Sequence, residues 1–268
     1  MIICHKYKFI FLHVPKTGGS SITTFFSQYL GDRDILSGWN NPLRRGIPYN
    51  SKTLRMVNNK FGLRMISKAL NLRAKDHKIF ERPIIEYALR EVLKKKIGTN
   101  SAHATANHLK NFDQDSWRKY FKFAFVRNPY THAISNWMWS ENDWSIVDNN
   151  VSRKKKLTKK NFVNYLKKLK KDLRNNNNYY YDKLPGNQIY TINNKIAVDF
   201  IGKFENLEKD VLKIKKVLKL PKEKFKLEYS KKNSSINNLN YYTKESRKLV
   251  EDIWKKELQL FKYQFPNK

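Results

Sequence analysis

Residues 9–21 constrain the fold of this chain more than any other segment. Their apolar first half predicts a buried strand, and the chain then passes through Lys16, Gly18 and Gly19. An amphipathic pattern that predicts a helix over residues 20–30 follows directly. Such a joint brings backbone N–H groups, a helix N-terminus and an ammonium group around one point, which suits a phosphate or a sulfate.

This loop differs from the common P-loop, in which the lysine follows the glycines. Here Lys16 precedes Gly18 and Gly19, whose lack of a side chain lets the backbone approach an anion. The remaining candidate anion-binding residues carry hydroxyl groups: Thr17, Ser20 and Ser21. The alternative interpretation is an ordinary strand–helix turn with a helix cap.

A second candidate anion site follows the strand predicted at residues 121–126. Arg127 stands at the end of this strand, and a guanidinium can hold a phosphate with two parallel hydrogen bonds. Ser135 lies about two turns along the next predicted helix and offers a second donor. Arg127 and Ser135 could also serve only as a salt-bridge partner and a helix cap. Beside the separate Lys16 loop, however, they indicate a ligand with two anionic groups.

His103 is the candidate general base, because an imidazole can accept a proton near neutral pH. A lone histidine is also common in purely structural positions. His13 is the rival candidate, and its place on the first strand predicts a buried hydrogen-bonding residue. Glu205 is interpreted as structural. The cysteine and histidine spacing does not match a metal site.

The alternation of strands and helices predicts one α/β domain over residues 1–268, with a mostly parallel central sheet and helices on both faces. Ligands of such folds bind beyond the carboxyl ends of the strands, where both candidate anion sites lie. The predicted strands are residues 7–14, 121–126 and 198–204. The predicted helices are residues 20–30, 83–98, 129–139, 162–173, 207–218 and 243–261. The predicted loops are residues 31–59, 143–160 and 175–186.

The charge balance favours acidic partners. The chain has 55 Lys and Arg against 23 Asp and Glu, a formal charge of +32. Nucleic acid, an anionic membrane or a polyanionic substrate would each fit, while codon bias towards Lys and Asn is a competing explanation. One cysteine excludes an intramolecular disulfide. The absence of a signal peptide and of a long apolar run predicts a soluble cytoplasmic protein without a transmembrane anchor.

Together these motifs resemble the PAPS-dependent sulfotransferases (PAPS is 3′-phosphoadenosine 5′-phosphosulfate). The resemblance is to the Golgi-type carbohydrate branch, which includes heparan sulfate 2-O-sulfotransferase and soluble bacterial relatives. Residues 11–21 are similar to that family's 5′-phosphosulfate loop, and residues 121–130 with Ser135 to its 3′-phosphate site. Residues 103–109 resemble the segment of its proposed base. Thr131 and His132 depart from the pattern, because many members carry Asp-Arg there.

The resemblance implies a P-loop-like sulfotransferase fold and transfer of a sulfuryl group from PAPS to an acceptor hydroxyl, with PAP as the product. It implies that Lys16 neutralises the leaving phosphate, that Arg127 and Ser135 hold the 3′-phosphate, and that His103 is the base. Residues implied to hold the 5′-phosphate are Lys16, Thr17, Gly18, Gly19, Ser20 and Ser21. The expected acceptor is a glycan or another anionic molecule, without specific nucleic-acid binding and without a metal.

Two other functions remain open from the sequence. A basic nucleotide- or polyanion-binding protein, for nucleic acid or glycan, would explain the charge without any transferase activity. A nucleotide kinase would need a Walker loop and acidic Mg²⁺ ligands, and the sequence shows neither.

Overall fold

The structure is a computed structural model, and it describes residues 1–75, 83–141, 157–174, 185–228 and 235–266. Residues 143–156 and 175–184 of the two predicted loops lie outside the described residues. The strands are β1 (Ile2–Cys4), β2 (Phe9–Leu12), β3 (Ile35–Leu36), β4 (Phe121–Val126), β5 (Thr191–Ile192), β6 (Lys195–Ile196) and β7 (Phe200–Lys203).

The helices lie between and after these strands, with six of them, α2 to α7, between β3 and β4. They are α1 (Gly19–Ser27), α2 (Asn40–Arg44), α3 (Ser51–Val57), α4 (Lys60–Lys75), α5 (Ile84–Ile97), α6 (Ala106–Phe112), α7 (Gln114–Lys119), α8 (Pro129–Glu141), α9 (Lys159–Arg174), α10 (Asn187–Tyr190), α11 (Leu207–Val217), α12 (Lys244–Ile253) and α13 (Lys255–Phe261). No helix among the described residues combines the length and the apolar character needed to cross a bilayer.

The main sheet has the strand order β3-β1-β2-β4-β7. β4 is parallel to both β2 and β7, whereas β1 is antiparallel to β2 and to β3. The sheet is therefore mixed, which corrects the expectation of a mostly parallel sheet. The physical reason is the short turn at residues 5–8 between β1 and β2, because a parallel connection needs a crossover of a dozen or more residues.

Aromatic rings fill the space between the sheet and α1. Phe26 of α1 lies 5.4 Å from Phe9 of β2 and 5.2 Å from Phe123 of β4, measured between ring centroids. All three rings are fully buried. Burial of each such side chain contributes about 1.5–3 kcal/mol, so these contacts fix α1, and the loop before it, against the two central strands.

A second core lies where α8, α9 and α12 pack together. Its largest side chains are Trp137, Phe162 and Trp254, which are fully buried. Trp254 also breaks the predicted helix at residues 243–261 into α12 and α13, since its backbone leaves the helical region at φ −106° and ψ 27°. The chain therefore bends at Trp254, where the large indole ring is buried. The helical periodicity of the sequence does not show this bend.

The predicted loop at residues 31–59 contains β3, α2 and α3, so that prediction was wrong. The buried Asp34 carboxylate organises the start of this segment. It accepts hydrogen bonds from the backbone N–H groups of Gly31 and His5, each at 2.7 Å. The segment is consequently tied to the β1–β2 turn through buried polar contacts, which a survey for turn residues cannot detect.

Gly202 of β7 gives a test of the packing between the two parallel strands. It pairs with Phe125, and a Cβ at Gly202 would lie 2.4 Å from the Phe125 ring. We expect Gly202→Ala to lower the free energy of unfolding by about 1–3 kcal/mol through overpacking. Urea denaturation measures this change.

Gly31→Ala is the matched control, because a Cβ there would approach nothing nearer than the flexible Lys6 side chain at 3.3 Å, with Asp34 Oδ2 at 3.8 Å. We expect its effect to stay within about 0.5 kcal/mol. Equal destabilisation by the two substitutions would contradict this description of the strand packing.

Candidate active site

The loop between β2 and α1 forms the centre of the candidate site. Lys16 and Gly18 both adopt left-handed backbone conformations, with φ of 61° and 82°. Gly18 is the N-cap of α1 and makes no side-chain cap bond, and the first turn of the helix contains no acidic residue. No carboxylate of that turn therefore offsets the positive end of α1, an arrangement that favours a bound anion.

The hydroxyl groups of the loop do not all have the same surroundings. Thr17 is fully buried, and its Oγ1 donates a hydrogen bond to the carbonyl oxygen of Val14 at 2.8 Å. This bond closes the loop on itself, so the Thr17 hydroxyl proton is used within the protein. Ser21 is buried and Ser20 is partly exposed on the first turn of α1.

Gly19 is required by a close contact with His13. A Cβ built on Gly19 would lie 1.8 Å from Nε2 of His13, so the imidazole ring crosses directly over the glycine. The sequence suggested that both loop glycines allow an anion to approach the backbone. For Gly19 the structure adds a second reason, which is contact with a histidine ring.

His103 lies beside the same loop. Its Nδ1 is 2.9 Å from the carbonyl oxygen of His13, and the two imidazole rings are 4.7 Å apart between centroids. Because a carbonyl oxygen only accepts hydrogen bonds, Nδ1 of His103 carries the proton and the lone pair of the neutral ring is on Nε2. That is the tautomer needed for a base acting through Nε2.

His13 is held as a neutral imidazole. Burial, together with the neighbouring His103, shifts its pKa well below the ordinary value. His13 consequently keeps a constant charge near neutral pH while it contacts both Gly19 and His103. His13 is partly exposed by surface area, and its structural role stays a prediction.

Arg127 connects the two candidate anion sites. It follows β4 and is only 6% exposed. Its Nε donates to the Thr131 hydroxyl at 3.1 Å and its NH1 donates to the Lys16 carbonyl at 3.0 Å. Burial lowers the pKa of Arg127 to about 10, and nearby Glu205 opposes that shift, so the guanidinium remains charged at neutral pH.

One side of α8 lines this region. Thr131, Ser135 and Trp139 are four residues apart and therefore lie on successive turns of the same helix face. Thr131 contacts Arg127, and the Trp139 ring centroid is 5.6 Å from Nζ of Lys16. Ser135, which is 9% exposed, stands between these two contacts. The structure thus places it on the side of α8 that faces both cations.

Three contributors to the site were not identified from the sequence as site residues: Thr131, Trp139 and Phe204. The Phe204 ring lies 4.3 Å from the Arg127 guanidinium carbon. A Cβ on Gly18 would approach the same ring at 3.1 Å. The four-residue spacing on α8 could have revealed Thr131 and Trp139, whereas no local pattern points to Phe204.

Glu205 has a structural part in this arrangement. One carboxylate oxygen accepts from the backbone N–H of Asn128 at 2.7 Å, and the other accepts from the Tyr263 hydroxyl at 3.0 Å. These bonds connect the segment after β4 to the C-terminal end of the described chain. They support the structural interpretation of this carboxylate.

Comparison with known proteins now adds the family. The model described as "Sulfotransferase family" matches residues 1–264. The chain belongs to the sulfotransferase family. A protein of Archaeoglobus fulgidus named "Uncharacterized protein" is 34% identical over 107 residues, which are 39% of this chain and 72% of that protein. No solved structure matches the chain.

Membership of the sulfotransferase family supports sulfuryl transfer as the class of activity. The narrower resemblance to the Golgi-type carbohydrate branch stays a prediction. Within the described part of the chain, no group of three or more His, Cys, Asp and Glu side chains is placed to hold a metal ion.

A buried carboxyl group of α13 lies next to Gly186, which packs against the loop after β2. Gly186 packs against Val14, since a Cβ there would lie 2.8 Å from the valine side chain and 3.6 Å from Oε1 of Glu257. Glu257 is 3% exposed and accepts a hydrogen bond from the backbone N–H of Asn187 at 2.8 Å. Burial raises the pKa of Glu257 to about 7.

This shift predicts a pH-dependent stability. The folded state favours the protonated form of Glu257. The resulting contribution to the free energy of unfolding is complete below the ordinary pKa of 4.5 and is lost as the pH rises through about 7. Glu257→Gln cannot ionise. We expect this variant to lose less stability than the wild type between about pH 4.5 and pH 7, measured by urea denaturation.

Glu208→Gln, on the exposed surface of α11, is the matched control and should follow the pH dependence of the wild type. If the wild type and Glu257→Gln had parallel pH profiles, the buried carboxyl would not titrate as described.

Proposed function

We propose that this chain transfers a sulfuryl group from PAPS to an acceptor hydroxyl, on a carbohydrate, with His103 as the base. The observation that carries the proposal is the hydrogen bond from Arg127 to the carbonyl oxygen of Lys16. It joins the segments that follow β2 and β4, which carry the cations Lys16 and Arg127, at one edge of the sheet. Family membership supports the reaction class.

The residues present fit PAPS, which supplies a transferable sulfuryl group and carries anionic groups at its 5′ and 3′ ends. The uncapped N-terminus of α1 matches one anionic end, and the buried Arg127 cation matches the other. The two sites are adjacent through the Lys16–Arg127 bond, as a single nucleotide requires. We assign the 5′ end to residues 16–21 and the 3′ end to Arg127 and Ser135.

Lys16 acts on charge that develops during transfer. We assign its ammonium group to neutralise the phosphate oxygen that is released as the bond to sulfur breaks. Such stabilisation of a developing charge is commonly the largest electrostatic contribution to catalysis. The contact between Lys16 and Trp139 holds the side chain near α8.

His103 acts on the acceptor. Its Nε2 accepts the hydroxyl proton as the acceptor oxygen forms its bond to sulfur, while Nδ1 stays bonded to the His13 carbonyl. The same carbonyl then stabilises the imidazolium that results. His13 remains neutral, so it does not compete for the proton.

The positive charge of the chain supports an anionic glycan as the acceptor. A formal charge of +32 attracts such molecules and raises their local concentration. The same charge favours a second candidate function, a polyanion-binding protein without transferase activity. Only an assay of transfer separates the two functions.

The transfer test uses ³⁵S-labelled PAPS with panels of neutral and acidic glycans. We expect label in the acidic glycans, and we expect Lys16→Ala to lower kcat by about 10²–10³ because it removes charge stabilisation that grows in the transition state. PAP should raise the Tm of the wild type and of Lys16→Ala. ATP, which has no 3′-phosphate, should raise the Tm less.

Absence of transfer to any panel, together with glycan binding that PAP does not affect, would leave the polyanion-binding function in place. Equal stabilisation by PAP and ATP would remove the assignment of Arg127 and Ser135 to a 3′-phosphate.

His103→Ala tests the base. We expect a loss of about 10²–10⁴ in kcat, because the acceptor hydroxyl is a poor nucleophile while it keeps its proton. PAP affinity should be unchanged. The wild-type rate should fall at acidic pH, where imidazole is protonated, and the residual activity of the variant should lack that acidic decline.

His13→Ala is the comparison. Its ring packs on Gly19, so we expect the substitution to change stability and loop geometry. Normal turnover by His103→Ala, combined with a stable but inactive His13→Ala, would reverse the two assignments.

A further inference from the structure

A second concentration of positive charge lies at the opposite edge of the sheet from Lys16 and Arg127. His5 is in the β1–β2 turn and Tyr120 directly precedes β4, so both mark the amino-terminal ends of the parallel strands. A cavity of about 710 Å³ opens beside them. We call it the basic pocket, and its lining residues are His5, Arg33, Lys52, Arg55, Met56, Asn59, Lys96 and Tyr120.

The charge of the basic pocket has one sign. Two arginines and two lysines line it, and its lining includes no acidic residue. Among the residues that the structure describes, no carboxylate forms an ion pair with any of these four cations. A concave surface lined by one sign of charge focuses the field and attracts counter-ions of the opposite sign.

The two carboxylates close in sequence to the pocket, Asp32 and Asp34, accept hydrogen bonds from other groups. Asp34 is 1% exposed, and it accepts from the backbone N–H groups of His5 and Gly31. Asp32 accepts from the Ser51 hydroxyl at 3.1 Å. The cavity beside α9 and α12 differs, because its Lys170 pairs with Asp252 at 2.6 Å. The four cations of the basic pocket are thus not neutralised by an ion pair among the residues described.

The walls of the basic pocket suit a small molecule with several charges. Its cations come from three places: Arg33 before β3, Lys52 and Arg55 on α3, and Lys96 at the end of α5. Because the cations stand on several sides, they suit a ligand with two or more anionic groups better than a ligand with a single anionic group. Arginine holds phosphate and sulfate oxygens in pairs, and the volume is within the range of about 300–1,000 Å³ common for ligand sites.

The remaining lining residues add shape. Nδ1 of His5 and the Tyr120 hydroxyl are hydrogen-bonded at 2.9 Å, and their rings meet edge to face with centroids 5.7 Å apart. The buried Met56 side chain provides apolar surface. We propose that the basic pocket binds a small molecule with two or more phosphate or sulfate groups, independently of the candidate transfer site.

The test is a titration followed by NMR of the histidine ring C–H signals. The chain has six histidines, and loss of one signal in His5→Gln assigns His5. We expect pyrophosphate to shift the His5 signal in a saturable way. The double variant Arg55→Gln/Lys96→Gln should weaken this binding about 100-fold, or about tenfold for each cation removed.

Arg44→Gln/Lys94→Gln is the control, because it removes the same charge from exposed positions that do not line the pocket. We expect it to leave the affinity nearly unchanged. Equal weakening by the two double variants would show attraction to the net charge alone and would overturn the proposal, as would a wild-type His5 signal that does not saturate. Arg33→Gln/Lys52→Gln replaces the first double variant if that protein does not fold.

A parallel titration with a disulfated disaccharide identifies the source of the anionic groups. Tighter binding of pyrophosphate indicates a phosphorylated ligand, and tighter binding of the disaccharide indicates a sulfated one. The signals of His13 and His103 report on the candidate transfer site in the same spectra. Failure of PAP to shift them would count against the transfer function and would leave the pocket result intact.

Discussion

Because β2 and β4 run parallel, with Leu12 opposite Ala124, the segments that follow them leave the sheet at the same edge. Lys16 and Arg127 are 111 positions apart in sequence, yet this register allows the arginine side chain to donate to the lysine carbonyl. An antiparallel pairing would place the two segments at opposite edges. The candidate site therefore depends on the direction of two short strands, and the aromatic contacts of Phe26 hold α1 against both.

Burial of Arg127 is the main electrostatic cost of this arrangement. Removing a guanidinium from water is unfavourable, as its lowered pKa shows. Two oxygen acceptors, the Phe204 ring and nearby Glu205 offset part of that cost. A bound anion would compensate more of that cost. A phosphate therefore stabilises the buried Arg127 more than it would stabilise an arginine on the solvated surface.

Local patterns were sufficient for the elements that surround the site. The apolar run of β4 and the Pro83–Gly98 limits of α5 predicted those two elements closely. The direction of β1 was not predictable in this way, because a three-residue strand has too few residues to show a period. The Asp34 contacts and the break at Trp254 depend on partners distant in sequence, which no window of the chain contains.

The same limit applies to the site. Strand ends and residue types identified Lys16, Arg127 and His103, and the structure places them around one edge. The second role of Gly19 could not be predicted, since only folding brings the His13 ring across it. His13 also binds His103 through its carbonyl. The loop that contains Gly19 and the candidate base His103 are consequently joined through His13, so a change in the backbone at Gly19 would also displace His103.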